Sequence, residues 1–271
     1  MIKLIATDVD GTLVVDGSGS LNPEYFPVIE ELLRQGIYFV VASGRTKSSI
    51  SSLMKPIVDK ITMIAEGGSY VCTSKEDLLS FPIPIDVVRE LVIDIRKLTE
   101  CEIMISSPKR CYVETKDTDF IRWIEEDYGF CVQQVKDLLE VEEQIVKVSL
   151  YHKINAGKET EKGLKEKWES RLHLAEAGHE WVDCIMPQTN KGVALAYLQE
   201  KYGITKDETM VFGDNFNDLE MLEQATFSFA MGNAREEVKE KANYIADTNI
   251  NNGVLQVLKQ VVDGKGNYNG K

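Results

Sequence analysis

"LIATDVDGTL" (residues 4–13) runs from apolar residues into two aspartates one residue apart, followed by Gly11 and Thr12. The run has the composition of a strand buried on both faces, and Asp-Gly-Thr that of the turn that ends one. If strand geometry persists past Thr7, its period of two turns Asp8 and Asp10 to one side. Carboxylates so placed raise at least one pKa unless a cation, hydrogen-bond donors or a shared chemical task stabilises them. The pair therefore predicts partners from elsewhere in the chain.

Outward from that strand, strand-like and helix-like stretches alternate, as in parallel β-α-β units. "SLNPEYFPVIEELLRQGI" (20–37) predicts a helix with Asn22 as N-cap, Pro23 at the first helical position and Gly36 as the stop. "IYFVVAS" (37–43) reads as a second buried strand, "GRTKSSISSLM" (44–54) as the next helix and "ITMIAE" (61–66) as a third strand. The rhythm returns near the C-terminus: helix 192–202, strand 209–214, helix 218–225, strand 227–231, helix 234–242, strand 243–246 and a final helix 253–262. Between these halves the sequence predicts a helix over 86–100, a hairpin-like pair (102–107 and 111–115), a helix around Trp123 and a strand over 146–152. A charged helix over 158–172 and a closing pair around Gly178 follow. The expected architecture is α/β: a Rossmann-like parallel-sheet core of residues 1–82 and 187–271 with an inserted α+β module, residues 83–186. That module is entered near Pro82 and Pro84 and left near Pro187. The polar, Gly-rich tail from Asp263 is expected to fray.

Composition sets the outer limits. The chain has 271 residues, 43% hydrophobic and 28% charged, which suits a soluble globular protein. A net charge of -13 with no compact Lys/Arg block argues against nucleic-acid and anionic-membrane partners. Five cysteines (Cys72, Cys101, Cys111, Cys131, Cys184) are odd in number and spread out, with no C-x-x-C. They read as reduced, mostly buried thiols. The first apolar run breaks at Asp8, short of a signal peptide, and nothing approaches a membrane span, so the expected location is cytoplasmic. His152, His173 and His179 lack metal-ligand spacing, and Trp123, Trp168 and Trp181 are expected to pack the inserted module, with one available to line a pocket.

In an open α/β sheet, ligands bind beyond the carboxyl ends of the strands, where this chain places "DVDGT", "SGR" (43–45) and "GDNFND" (213–218). Asp214 and Asp218 can add oxygen ligands to those of Asp8, a set suited to Mg²⁺. A cation there keeps Asp8 ionised and turns a repulsive site into an anion site. Lys191 can add positive charge from the other side, while Ser43 and the Gly44 amide can donate to phosphate oxygens at a helix N-terminus. Singly, each feature reads equally as a turn, a cap or a solvated lysine. Their joint occurrence, in order, at strand ends is what such readings do not produce. Neither a G-x-S-x-G nor a G-x-x-x-x-G-K-[ST] stretch is present.

"DVDGTL", "SGR", Lys191 of "NKGVAL" and "GDNFND" resemble the four ordered motifs of the haloacid dehalogenase superfamily of phosphatases. The module's position after the third core strand resembles the Cof-type branch with a type IIB cap, and the likeness covers essentially the whole chain. It implies that Asp8 attacks phosphorus and becomes an aspartyl phosphate, and that Asp10 protonates the leaving oxygen and then activates water. It implies Mg²⁺ held by the Asp8 carboxylate, the Asp10 backbone carbonyl and Asp214, with Asp218 in support, and phosphate oxygens held by Ser43, Lys191 and Asn217. Gly11, Thr12, Gly44 and Arg45 come with the same motifs as substrate-binding positions. One stretch departs from the pattern: "IAEGGSY" puts Glu66 where Cof-type proteins usually carry asparagine. An acceptor-only carboxylate repels phosphate, so Glu66 either reads a polar part of the leaving group or points away and braces its loop.

The expected activity is hydrolysis of small phosphorylated metabolites, Mg²⁺-dependent, with sugar phosphates first and pyridoxal phosphate or flavin mononucleotide after them. The expected assembly is a monomer or homodimer. A phosphomutase or related sugar-phosphate phosphatase shares the chemistry; a catalytically silent ligand-binding regulator shares only the scaffold. Acidic residues outnumber basic ones between 83 and 186, against a polyphosphate groove.

Overall fold

Leu4, Ile5, Ala6 and Thr7 are fully buried and form β1 (Leu4–Thr7), the strand the opening stretch predicts. The computed structural model describes residues 1–15, 18–177 and 179–265. After β1 come α1 (Tyr25–Arg34), β2 (Tyr38–Ala42), α2 (Lys47–Leu53), β3 (Thr62–Ala65), β4 (Tyr70–Cys72) and β5 (Asp77–Ser80). The middle of the chain holds α3 (Ile85–Ile95), β6 (Cys101–Ser106), β7 (Cys111–Val113), α4 (Thr118–Glu126), β8 (Val132–Gln134), β9 (Lys147–His152), α5 (Ala156–Gly163), α6 (Lys165–Trp168), β10 (His173–Glu176) and β11 (Trp181–Ile185). The last part holds α7 (Lys191–Tyr202), β12 (Thr209–Gly213), α8 (Leu219–Leu222), β13 (Phe227–Ala230), α9 (Glu236–Lys241), β14 (Tyr244–Ile245) and α10 (Gly253–Val262).

Two sheets result. The first runs β14-β13-β12-β1-β2-β3-β4-β5. Its strands from β14 to β3 are parallel, with Leu4 paired to both Tyr38 and Thr209, while β4 and β5 add on antiparallel. The second runs β10-β11-β9-β6-β7-β8 and is antiparallel except where β7 meets β8. Parallel strands sit at the centre of the first sheet because helices bury both faces, and α1 shows how: Tyr25, Ile29 and Leu32 lie on one buried face. Each contributes about 1.5–3 kcal/mol by leaving water.

Alternation on the second sheet decides what it presents to each side. On β9, Val148 and Leu150 join the core made with Trp168, Val182 and Cys184; Lys147, Ser149 and Tyr151 project to the opposite face. On β11, Trp181 and Asp183 face the same way as Lys147, opposite Val182 and Cys184.

Several expectations change in detail. The first helix starts at Tyr25 rather than Pro23, and Asn22 accepts a hydrogen bond from the Glu24 amide (3.0 Å) one turn before it. Gly36 does end that helix, at φ +82°. The helix expected from Gly44 begins only at Lys47 with Thr46 as its cap, so Ser43 and Gly44 lie in the turn before it and not at its N-terminus. The single charged helix expected over 158–172 is two, broken at Leu164, whose side chain is buried with Trp168 and Leu172. Strands β4, β5 and β8 went unforeseen, being too short to show a period. All five cysteines are free thiols, with Cys72, Cys111 and Cys184 buried. No described helix is long and apolar enough to cross a membrane. The tail beyond Lys265 and the predicted turn residue Gly178 lie outside the described residues.

Candidate active site

At the carboxyl end of β1 the chain leaves the sheet, and the two aspartates of the opening stretch part company. Asp8 is buried (4% exposed) and its Oδ1 accepts from Lys191 Nζ at 2.6 Å. Asp10 is held by Arg45, which donates from Nε to Oδ2 (2.8 Å) and from Nη2 to Oδ1 (2.6 Å). Each carboxylate thus has its own cation. Like charges press on Asp8 from Asp218 and Asp214. Burial first, then Asp218, and more weakly Asp214, push the Asp8 carboxyl well above its usual range against the pull of Lys191.

Lys191 opens α7, placed there by Asn190, whose side chain caps the helix by accepting from the Val193 amide at 2.8 Å. It is 1% exposed and also donates to Asp218 Oδ1 at 2.7 Å. Burial disfavours its charge, but Asp218 and Asp8 outweigh this and hold its pKa above the ordinary lysine value. Asp218 is completely buried; its Oδ2 accepts from the amides of Asp214 (3.0 Å) and Asn215 (3.1 Å), which folds "GDNFND" into a tight turn. Thr12 donates from Oγ1 to Asp214 Oδ1 at 3.0 Å. Gly11, at φ +80°, passes so close to Asp214 that a Cβ would collide with its carboxylate.

Asp8, Asp214 and Asp218 bring one carboxylate oxygen each to within 4.8 Å of one another. Three carboxylates this close offer an all-oxygen donor set, which is what Mg²⁺ takes. The residues present fit that ion.

A cavity of about 280 Å³ opens over Asp8 and Asp10, and Ser43, Gly44, Arg45 and Asn217 line it as well. Lys191, Gly11, Thr12 and Glu66 are not among its lining residues. Two of these stand behind it, Thr12 on Asp214 and Lys191 on Asp8. Arg45 is committed to Asp10 and to the Ser18 carbonyl (2.8 Å). Glu66 is 1% exposed and pairs with Lys147 at 2.8 Å, the arrangement of a loop brace. Burial raises its carboxyl pKa against the pull of that ammonium.

The far wall of the cavity comes from Met104, Lys147, Ser149, Trp181 and Asp183 of the second sheet and from Tyr128 and Phe130 in the loop before β8, with His179 beside them. Trp181 packs with Tyr151 and Trp123 in one aromatic group, its ring centre 4.9 Å from that of Tyr151. Among the three tryptophans, Trp168 is fully buried and donates to Asp94 (3.0 Å), so Trp181 is the one that reaches the pocket. His152 accepts from the amides of Ile154 and Asn155, a structural role. The signal for these wall residues was the alternation of "VKVSLYH" and "WVDCI", which marks K, S, Y and W, D as one face without saying what that face covers.

A family model of the haloacid dehalogenase-like hydrolases matches residues 5–258. The chain is 32% identical over 261 residues to the Escherichia coli (strain K12) 5-amino-6-(5-phospho-D-ribitylamino)uracil phosphatase YbjI, covering 96% of each. A solved structure from Eubacterium rectale superposes with a TM-score of 0.87 at 38% identity, over 96% of this chain and 99% of that one. The HAD subclass IIB sugar phosphatase BT4131 shares the fold at a TM-score of 0.80 and 21% identity, over 96% of this chain and 98% of its own.

Proposed function

This chain belongs to the haloacid dehalogenase-like hydrolases, and from that premise we propose that it is a Mg²⁺-dependent phosphatase of small phosphate monoesters, working through an aspartyl phosphate on Asp8. The observation that carries this reading is the pairing at the cavity floor. A buried carboxylate fixed by Lys191 lies two residues from a second one fixed by Arg45, and both line the cavity.

Lys191 occupies Oδ1 of Asp8 and leaves Oδ2 as the attacking oxygen. As that oxygen bonds to phosphorus the ester bond breaks, and the proton carried by Asp10 goes to the leaving alkoxide. Water then attacks phosphorus, giving its proton to Asp10 as the Asp8–phosphorus bond breaks and phosphate leaves. Arg45 holds the Asp10 carboxylate in place through two hydrogen bonds, from Nε and from Nη2. Ser43 and the Gly44 amide are placed to hold phosphoryl oxygens from the cavity wall, with Asn217 opposite. When bound by Asp8, Asp214, Asp218 and the Asp10 carbonyl, Mg²⁺ supplies charge neutralisation at the transferred group.

The wall opposite supports a leaving group with two characters. Asn215 and Glu180, which also line the cavity, offer hydrogen-bond partners for hydroxyls, while Trp181, Tyr128 and Phe130 offer flat apolar faces. A phosphorylated polyol that carries a planar ring matches this better than a bare sugar phosphate, and the substrate in the name of the E. coli relative has that form. Residues 83–186 would act as the cap that closes over it and excludes water. A panel of phosphate esters assayed with and without Mg²⁺ tests this. Ring-bearing esters should show the highest kcat/KM, and Trp181→Ala should lower it for them by about tenfold, in line with the loss of one aromatic contact, while sparing plain sugar phosphates. Equal loss for both classes removes the ring from the proposal. Turnover that needs a sugar acceptor would mark a phosphomutase instead.

A further inference from the structure

The mechanism above leaves one buried charge without a task. Lys147, on β9, is 2% exposed. Its ammonium donates to the Gly44 carbonyl at 2.7 Å and pairs with Glu66 Oε2 at 2.8 Å and Asp183 Oδ2 at 3.1 Å. Ser149 donates to the other oxygen of Asp183 at 2.7 Å. The ammonium donates to the Gly44 carbonyl and is held between two carboxylates as ion pairs. Burying such a group carries a desolvation cost that only close geometry recovers. Conformational specificity is the return such clusters can give.

The acceptors show what is being specified. Gly44 and Glu66 belong to loops at the ends of β2 and β3, whereas Lys147 and Asp183 belong to the second sheet. Glu66 sits at φ +53°, in the left-handed region that a side chain rarely adopts, so its placement is held by its surroundings. Its amide donates to the Arg45 carbonyl (2.9 Å) and that of Gly67 to the Ser43 carbonyl (3.0 Å). The Glu66 turn therefore backs the Ser43–Arg45 turn from one side, and Lys147 grips the same turn from the other. Arg45 in turn holds Asp10.

We propose that Lys147 is a positioning residue for the reaction at Asp8. With Glu66 and Asp183 it clamps the Ser43-Gly44-Arg45 turn between the two sheets, which fixes Ser43 and Gly44 against the transferred phosphate and keeps Arg45 on Asp10. The proposal rests on the phosphatase reading. Lys147 touches no reacting atom and acts through Gly44 and Glu66. Because its acceptors come from both sheets, the clamp exists only while the sheets are together, so phosphate affinity and closure rise or fall as one.

The test uses the full chain with Mg²⁺, inorganic phosphate as the ligand in calorimetry, and p-nitrophenyl phosphate as a substrate with no ring-and-polyol leaving group. Lys147→Met should weaken phosphate binding and lower kcat/KM by about 10- to 100-fold, the range expected when a phosphate-holding turn shifts by a fraction of an ångström. Lys147→Arg should recover a large part of both, because the charge is kept. Glu66→Gln keeps the side-chain shape and removes one of the two carboxylate partners, so it should fall between Lys147→Met and wild type. If Lys147→Met does not fold, Glu66→Gln decides. A folded variant of either kind with a lower melting temperature but wild-type phosphate affinity and kcat overturns the proposal, because that is what a merely structural lysine gives. A wild-type protein that hydrolyses none of the esters takes down the phosphatase reading itself, and is recognised before any variant is compared.

Discussion

Among the described residues two lysines are buried, each between two carboxylates: Lys191 with Asp8 and Asp218, Lys147 with Glu66 and Asp183. In both, burial disfavours the charge and the flanking carboxylates more than restore it, so both pKa values lie above the ordinary one. They differ in what stands around the triad. Beside Lys191 a third carboxylate, Asp214, comes within 4.8 Å of the other two. Beside Lys147 the remaining donor goes to a neutral carbonyl, and a serine hydroxyl satisfies the spare carboxylate oxygen. The first cluster has the oxygen donors that suit a further cation; the second joins groups from two sheets. The same buried motif thus stands in one case around the carboxylate proposed to react and in the other between two sheets.

The sharpest way to break the contrast is at Asp8. Asp8→Asn should lower turnover by about 10³-fold or more, as removal of a nucleophile does, and acid-quenched protein should carry no covalent phosphate. Retained labelling would place the nucleophile elsewhere. Next is Lys191→Met, which leaves Asp8 and Asp218 buried without their ammonium and should cost about 3–5 kcal/mol in denaturant unfolding along with activity. A loss of activity with unchanged stability would mean the lysine is not structurally engaged, contrary to its two hydrogen bonds.

Smaller again is the response to metal. Free Mg²⁺ at a hundredfold excess over its dissociation constant should stabilise the wild type by about 2.7 kcal/mol, Asp214→Asn should remove that response, and Lys147→Arg should keep it. If Lys147→Arg lost it as well, the two triads would not be independent. Smallest is Asp94, a carboxylate whose cations stay in water. Burial opposes its ionisation, but hydrogen bonds from Lys167, Lys97 and Trp168 prevail and lower its pKa from 3.8 to about 2. A lowered carboxyl pKa stabilises the fold above the unfolded-state value, and that stability is lost as pH falls through the folded-state value. The unfolding free energy of the wild type should therefore exceed that of Asp94→Asn by about 1 kcal/mol near neutrality, given the exposure of both lysines. The gap should shrink as pH falls from 3.8 to about 2. A gap that is constant with pH would show that the ion pairs contribute nothing.

The site was legible in the sequence wherever its residues are local. Asp8 and Asp10, Ser43 to Arg45, and Asp214 to Asp218 each sit within a few residues of a strand end, and a parallel sheet brings such ends to one edge. Lys191 was legible for a related reason, standing at the first position of a predictable helix. Glu66 was seen as a departure, but its partner lies 81 residues away on another sheet, so its two readings stayed open until Lys147 was placed beside it.

By itself the sequence determined the α/β alternation and the acidic motifs at the strand ends. Both follow from periodicity and short-range chemistry. Only the tertiary structure decided that Arg45 answers Asp10 while Asp218 crowds Asp8, that Lys147 bridges the two sheets, and that the polar and aromatic face of β9 and β11 closes over the cavity rather than facing water. A strand's alternation tells which residues share a face, but what that face meets depends on how separate sheets pack, and no local pattern encodes that.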